Sequence, residues 1–296
     1  MRRRVIGTSL AVLAGLALSG AARAQDAGGQ KQAEGEQHAQ FVRLAREGDS
    51  IVALETAIVR FAARDPGRTT PTVDLIAAVH IADKSYYEQL NRRFEQYDAV
   101  LYELVAPEGT QIPKGGEGTG SSHPVSVLQR MMTGVLDLHY QLQGIDYTKK
   151  NFVHADLSPE RFAESLKRRG ESMWTILFRM MGYAMAQGDE AGSTDARLLM
   201  ALLDPNRALA LKRIMAEQFQ DLDGALSAIE GPDGSAIITD RNKAALEVLK
   251  REIDAGKRKI AIFYGGGHMP DFAERLGTDF GLVPIETQWL TAWNMK

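Results

Sequence analysis

Three side chains that can do acid–base or metal chemistry stand at the ends of strand-like segments. His80 follows the apolar residues 73–79, Glu103 lies near the end of residues 99–104, and His268 follows three consecutive glycines. Two imidazoles and a carboxylate match the ligand set of an open catalytic metal site, where a bound water becomes nucleophilic near neutral pH. Such nitrogen and oxygen ligands accept zinc, manganese or cobalt. The residue types therefore predict a divalent-metal site that hydrolyses an amide or ester.

Glu103 is the member of this set that structure alone explains least easily. An acidic residue within an apolar strand is costly unless it is paired, hydrogen-bonded or bound to a metal. It either completes the metal coordination or acts as general base, and the structural alternative is a buried ion pair with Arg241. In the catalytic interpretation, Arg241 stabilises an oxyanion or anchors a substrate carboxylate.

The remaining histidines are weaker candidates. His154 lies in a predicted short strand, residues 152–156, and either it or Asp156 is a further candidate ligand or a partner of a ligand. His123 directly follows a glycine-rich loop, residues 107–122, that we expect to form a flap beside the site. We expect His139, in a predicted helix, and His38, near the leader, to be structural or surface residues.

The predicted strands and helices that position these residues form βαβ units. A helix between residues 73–79 and 99–104 makes the two strands parallel, and as neighbours about 4.8 Å apart they would present His80 and Glu103 side by side. A helix over residues 242–253 leads into a buried strand, residues 260–264, which brings His268 to the same edge. The glycines before His268 are expected to allow positive φ and a close backbone approach.

The rest of the chain divides around this sheet. We predict a short helix over residues 41–47, and a strand over 51–63 that is antiparallel to 72–79. From about residue 125 the pattern becomes helical, with predicted helices at residues 126–142, 159–168, 172–186, 195–203 and 205–218. The expected fold is an α/β domain with a mixed central sheet, whose halves, residues 38–124 and 241–296, flank a large helical cap at 125–240.

The N-terminal segment has the pattern of a targeting signal. Residues 1–24 contain three consecutive arginines at positions 2–4, then an apolar run and then Ala-Arg-Ala, which predicts a signal peptide and export to the periplasm or the medium. Residues 25–37 are expected to be a disordered leader. No later stretch is predicted to span a membrane.

Charge and cysteine content limit the possible partners. Removing residues 1–24 takes away four arginines and no acids, so the formal charge moves from -3 to -3 minus 4, or -7. An acidic chain argues against nucleic acid and anionic membranes as partners. The sequence contains no cysteine, which excludes disulfides, thiol catalysis and cysteine metal ligands.

The residues quoted above resemble the TraB/PrgY/GumN superfamily, which includes the Tiki metalloproteases and is related to erythromycin esterases and ChaN-like haem-binding proteins. The resemblance covers roughly residues 73–108 and 240–276. His80 and His268 match the histidines of two GxxH motifs, although the first motif begins with alanine. Glu103 matches the family's acidic residue, and Arg241 the arginine before the late helix.

The resemblance implies a metal-dependent, peptidase-like hydrolase. Its relatives imply two alternatives, which are a metal-free esterase with a histidine base oriented by Glu103, and a protein that binds peptide or haem without turnover. The expected substrate is a peptide or a small ester or amide. The substrate, the metal and the oligomeric state are left open by the sequence.

Overall fold

The computed structural model describes residues 40–65, 70–116, 136, 138–172, 174–176, 178–179, 197, 199–218, 230 and 234–296. The predicted signal peptide and leader, His38, His123 and most of the predicted helices 126–142 and 172–186 lie outside the described residues. In the predicted helix 195–203, residues 197 and 199–203 are described and are helical. The strands are β1 (Val42–Glu47), β2 (Ser50–Ala63), β3 (Thr72–Ala78), β4 (Ile81–Ala82), β5 (Ala99–Tyr102), β6 (His139–Tyr140), β7 (Phe152–His154), β8 (Lys259–Gly265) and β9 (Leu282–Asn294).

Six α-helices have both ends within the described part of the chain. They are α1 (Lys84–Phe94), α2 (Gln141–Gly144), α3 (Pro159–Arg168), α4 (Arg207–Gln218), α5 (Arg241–Asp254) and α6 (Met269–Thr278). Short 3₁₀ turns occur at Lys114–Gly116 and Gly266–His268, and a π-helical turn at Ala236–Asp240. None of the described helices is both long enough and apolar enough to span a bilayer.

The central sheet is mixed, which confirms the predicted α/β fold class. Its strands run in the order β1-β2-β3-β8-β5-β7, and β9 pairs with β2. The pairs β3–β8, β8–β5 and β5–β7 are parallel, whereas β2 pairs antiparallel with β1, β3 and β9. The predicted antiparallel pairing of residues 51–63 with 72–79 is therefore confirmed.

The prediction that β3 and β5 are neighbours is wrong, because β8 lies between them. Residues Ile260 to Tyr264 of β8 are buried, as the centre of a parallel sheet covered on both faces requires. Helix α1 packs on one face through Tyr86, Leu90 and Phe94, while α5 and α6 cover the other. The sheet edge at which β8 ends is consequently flanked by the ends of both β3 and β5.

Two local predictions are also wrong. Residues 41–47 contain strand β1 rather than a helix, because β1 pairs with β2 across a tight turn in which Gly48 has φ 59°. His139 lies in the two-residue strand β6, which pairs with β4, rather than in a helix.

The predicted cap is helical only in part. Helix α3 has the predicted bounds, and α4 begins two residues later than predicted. Strand β7, however, lies inside the range 125–240 and belongs to the main sheet. Helix α4 packs on the sheet domain, where the nearly buried Lys212 Nζ donates to Asp83 Oδ1 at 2.8 Å. Because Asp83 closely follows His80 in sequence, α4 lies at the same edge of the sheet as the expected site.

Candidate active site at the carboxyl edge of the sheet

Three consecutive glycines, the first of which ends β8, lead the chain to His268 at the edge of the sheet. None of the three has positive φ, contrary to prediction, and Gly265 has φ −53°. A Cβ added to Gly266 would lie 2.7 Å from Val42 Cγ2, and one added to Gly265 would lie 3.4 Å from Glu103 Oε2. The predicted close approach is therefore confirmed at Gly266, where a side chain would collide with Val42, whereas a Cβ at Gly265 would make an ordinary contact.

Glu103, Arg241 and Asp156 form a buried ionic cluster beside the turn. Arg241 Nη2 donates to Glu103 Oε1 at 2.8 Å and to Asp156 Oδ2 at 2.5 Å, while its Nε donates to Asp156 Oδ1 at 3.0 Å. The N–H of Gly265 donates to Glu103 Oε2 at 2.8 Å. The ion pair between Glu103 and Arg241 is therefore present, and Asp156 has the partner role that the sequence left open.

The charges of this cluster do not balance. Burial would raise the pKa of Glu103, but Arg241, His268, His80 and the Gly265 N–H together hold that pKa well below its usual range. Burial would likewise lower the pKa of Arg241, yet its two carboxylates raise it. Two carboxylates thus share one guanidinium, which leaves the cluster with one net negative charge.

Asn242 fixes the orientation and tautomer of His268. Its Nδ2 donates to the His268 carbonyl at 2.9 Å and to Asp271 Oδ2 at 2.8 Å, so its Oδ1 must face His268 Nδ1, at 2.6 Å. An amide oxygen can only accept, so Nδ1 carries the proton and donates it. In the neutral ring, the lone pair is therefore on Nε2, which lies 3.6 Å from Glu103 Oε1.

His268 is neutral at physiological pH. Burial lowers its pKa from 6.5 to about 4, although the nearby charge of Glu103 acts in the opposite direction. The Nε2 lone pair and the ionised Oε1 are then two acceptors without a proton between them. A water or hydroxyl group held between them can donate to both.

His80 is exposed and is held by a different amide. Its Nδ1 lies 3.1 Å from Gln141 Oε1, and the Gln141 backbone N–H donates to the His80 carbonyl at 2.8 Å. Gln141 Nε2 in turn donates to the hydroxyl of Tyr147 at 3.0 Å. His80 contributes to the field that lowers the pKa of Glu103, so it belongs to the electrostatic surroundings of the site.

His154 is not directed to this cluster. Its Nε2 donates to the Leu104 carbonyl at 2.6 Å, and its ring packs near Tyr102. The possibility that His154 is a further ligand is therefore not supported, because a carbonyl already occupies the nitrogen that would bind.

The arrangement does not fit a metal ion. Throughout the described residues, no group of three histidine, aspartate or glutamate side chains is spaced to hold one. His80, Glu103 and His268 are thus not assembled as a metal-ligand set.

Sequence reasoning missed Asn242 and Gln141 as partners of the two histidines. Asn242 directly follows Arg241 at the start of α5, so one helical turn supplies both the cation for Glu103 and the acceptor for His268. That adjacency was a usable signal. No comparable pattern marks Gln141.

The fold and site define a mixed α/β protein with an Asn–His pair beside a buried Glu–Arg–Asp cluster. Comparisons with protein-family models, with curated proteins and with solved structures find no significant match to the chain.

Proposed function

We propose that this protein hydrolyses amide or ester bonds and that His268 is the general base. The observation that supports this most directly is the 3.6 Å separation between His268 Nε2 and Glu103 Oε1, two acceptors that can share one water. Asn242 orients the base, as a third group does in other base-catalysed sites.

In the proposed reaction, the water oxygen forms a bond to the substrate carbonyl carbon while its proton moves to Nε2. The bond from that carbon to the leaving nitrogen or oxygen then breaks, and Nε2 returns the proton to the leaving atom. Glu103 accepts a hydrogen bond from the second O–H of the water, which stays intact, and its negative charge stabilises the imidazolium that forms. We assign Arg241 a positioning role instead of oxyanion binding, because it is buried and already donates to Glu103 and Asp156.

The resemblance to the TraB/PrgY/GumN superfamily favours peptides as substrates, and the pattern of residues 1–24 favours a periplasmic or secreted location. The metal-dependent form of the reaction and binding without turnover are separable outcomes of the experiment below.

The test is an activity screen of the purified chain. The substrates are acetylated, amidated octapeptides randomised at every position and a set of small aryl esters, each with and without EDTA, and with added zinc, manganese or cobalt. We expect turnover that resists EDTA and falls about 10²- to 10⁴-fold in His268→Gln. The exposed His139→Gln variant serves as the control and is expected to keep its activity.

Three results would overturn the proposal in different ways. Full activity in His268→Gln would remove the base. Activity that is lost in EDTA and restored by one of the metals would establish the metal-dependent form. Absence of turnover, with an absorption band on mixing with haem or with retained peptide, would indicate a binding protein.

A further inference from the structure

Strand β1 lies in an unusual position relative to the site. Strand β2 pairs with β9 over nearly its whole length, from Ala53 to Ala63. On its opposite side it pairs with β1 through Ser50 to Thr56 and with β3 through Ile58 to Phe61. Strands β1 and β3 thus lie end to end along the same side of β2 and run in the same direction. Strand β1 begins close to the point where the pairing of β3 with β2 ends.

This placement puts the outer edge of β1 in front of β8. Strand β8 lies beside β3, on the side away from β2. If β8 were extended beyond its carboxyl end, it would therefore run along the outer edge of β1. The Gly266–His268 turn begins there. The Val42 side chain at the start of β1 confirms the proximity, since its Cγ2 would lie 2.7 Å from a Cβ on Gly266.

The outer edge of β1 presents backbone N–H and C=O groups on the side away from β2. The Ala57 N–H donates to the Phe41 carbonyl at 2.8 Å, which makes Phe41 and Ala57 a hydrogen-bonded pair. Since such pairs alternate with non-hydrogen-bonded pairs, Arg43 and Ala45 bond to β2, whereas Val42 and Leu44 direct their N–H and C=O groups outward. In the part of the chain that the structure describes, no strand pairs with this edge.

We propose that the outer edge of β1 binds a peptide substrate in an extended conformation, as an added strand that leads to His268. This inference rests on the proposed hydrolase function and specifies its substrate as a polypeptide. The edge offers alternating donors and acceptors to a peptide backbone, which is the basis of recognition by strand addition. A strand added there meets a turn without side chains, so the chain can continue past Gly265 and Gly266 toward Nε2 of His268.

Hydrogen exchange at single amides of β1 tests the inference without requiring turnover. The inactive His268→Gln chain is mixed with the randomised octapeptides, and exchange is followed at residues 42 to 45. We expect exchange to slow by up to about tenfold at Val42 and Leu44, since one added hydrogen bond is worth up to about that factor. Arg43 and Ala45, which bond to β2, are the internal control and should not change.

A substitution tests the same edge through kinetics. Leu44→Pro removes one outward N–H, which an edge strand tolerates, whereas Leu44→Ala removes the side chain but keeps the N–H. For the peptide mixture, we expect Leu44→Pro to raise KM about 3- to 10-fold relative to Leu44→Ala.

The outcomes separate this inference from the proposed function. Slowed exchange without any turnover would retain the peptide site and refute the hydrolase. Turnover without the alternating exchange pattern would retain the hydrolase and refute the strand-addition site. Protection of Val42 and Leu44 that depends on protein concentration in the absence of peptide would also refute it, because a second copy of the chain would then occupy the edge.

Discussion

Burial of neutral His268 makes the stability of this protein depend on pH in a defined window. The pKa of His268 is lowered from 6.5 to about 4 on folding, chiefly by burial. Between these values the unfolded chain binds a proton that the folded chain does not, so the free energy of unfolding rises with pH there. The stability is fully present above pH 6.5 and is lost as the pH falls toward 4.

The magnitude follows from the separation of the two pKa values. Each pH unit inside the window is worth about 1.36 kcal/mol. At pH 5, which is 1.5 units below the unfolded pKa of 6.5, the loss is about 2 kcal/mol. Once the pH is below 4 the loss reaches about 3 kcal/mol.

The measurement is urea unfolding at pH 7 and pH 5, for the wild type and His268→Gln. The range stops at pH 5 so that Glu103 does not contribute. Its pKa is 4.5 in the unfolded chain and lower in the folded chain, so at pH 5 and above it is mainly ionised in both states. We expect the wild type to lose about 2 kcal/mol more than the variant, while the exposed His139→Gln control follows the wild type.

Two results would refute this reasoning. Equal pH dependence in the wild type and His268→Gln would mean that the imidazole titrates alike in both states. A wild type that gains stability between pH 7 and pH 5 relative to His268→Gln would mean that Glu103 holds His268 protonated, so that the sign of the shift is opposite.

Three further predictions concern the same edge of the sheet. Arg241→Ala leaves Glu103 and Asp156 buried without their cation and should cost about 3–5 kcal/mol in urea unfolding, against less than about 1 for the more exposed Arg275→Ala control. Gly266→Ala places a Cβ against Val42 and should cost about 1–2 kcal/mol, a loss that Val42→Ala in the double variant should largely restore. In ¹⁵N-histidine NMR spectra at neutral pH, His268 should be protonated on Nδ1 and His154 on Nε2, and the same tautomer for both would contradict the assigned hydrogen bonds.

The sequence was sufficient to predict those elements whose signals are local. The apolar run of β8, the pattern of α5 and the Ser158-Pro159 start of α3 each specify an element within a few residues. Residues 41–47 were ambiguous, because so short a segment fits both helical and strand periods. Pairing with β2, a contact made by the fold as a whole, decides in favour of the strand.

Strand order was beyond the reach of local signals. The βαβ pattern required β3 and β5 to be parallel, but it did not require them to be adjacent. The space between them is taken by β8, whose sequence lies more than 150 residues further along the chain than β5. Because β8 lies between β3 and β5, His268 is placed between the strand that precedes His80 and the strand that precedes Glu103.

The net charge of the cluster argues that it is more than structural. Elsewhere in the core, the buried Asp74 pairs with Arg60, whose second carboxylate partner, Glu286, is exposed to solvent, and Asp74 also accepts a hydrogen bond from Tyr97. Glu103 and Asp156 instead share Arg241, and the neutral His268 adds no positive charge. A buried carboxylate without its own cation destabilises the fold by several kcal/mol, and packing of the core alone gives no reason for such a group. A site that must orient a water and stabilise an imidazolium during turnover does require that negative charge, so the imbalance is the feature expected of a base-catalysed reaction.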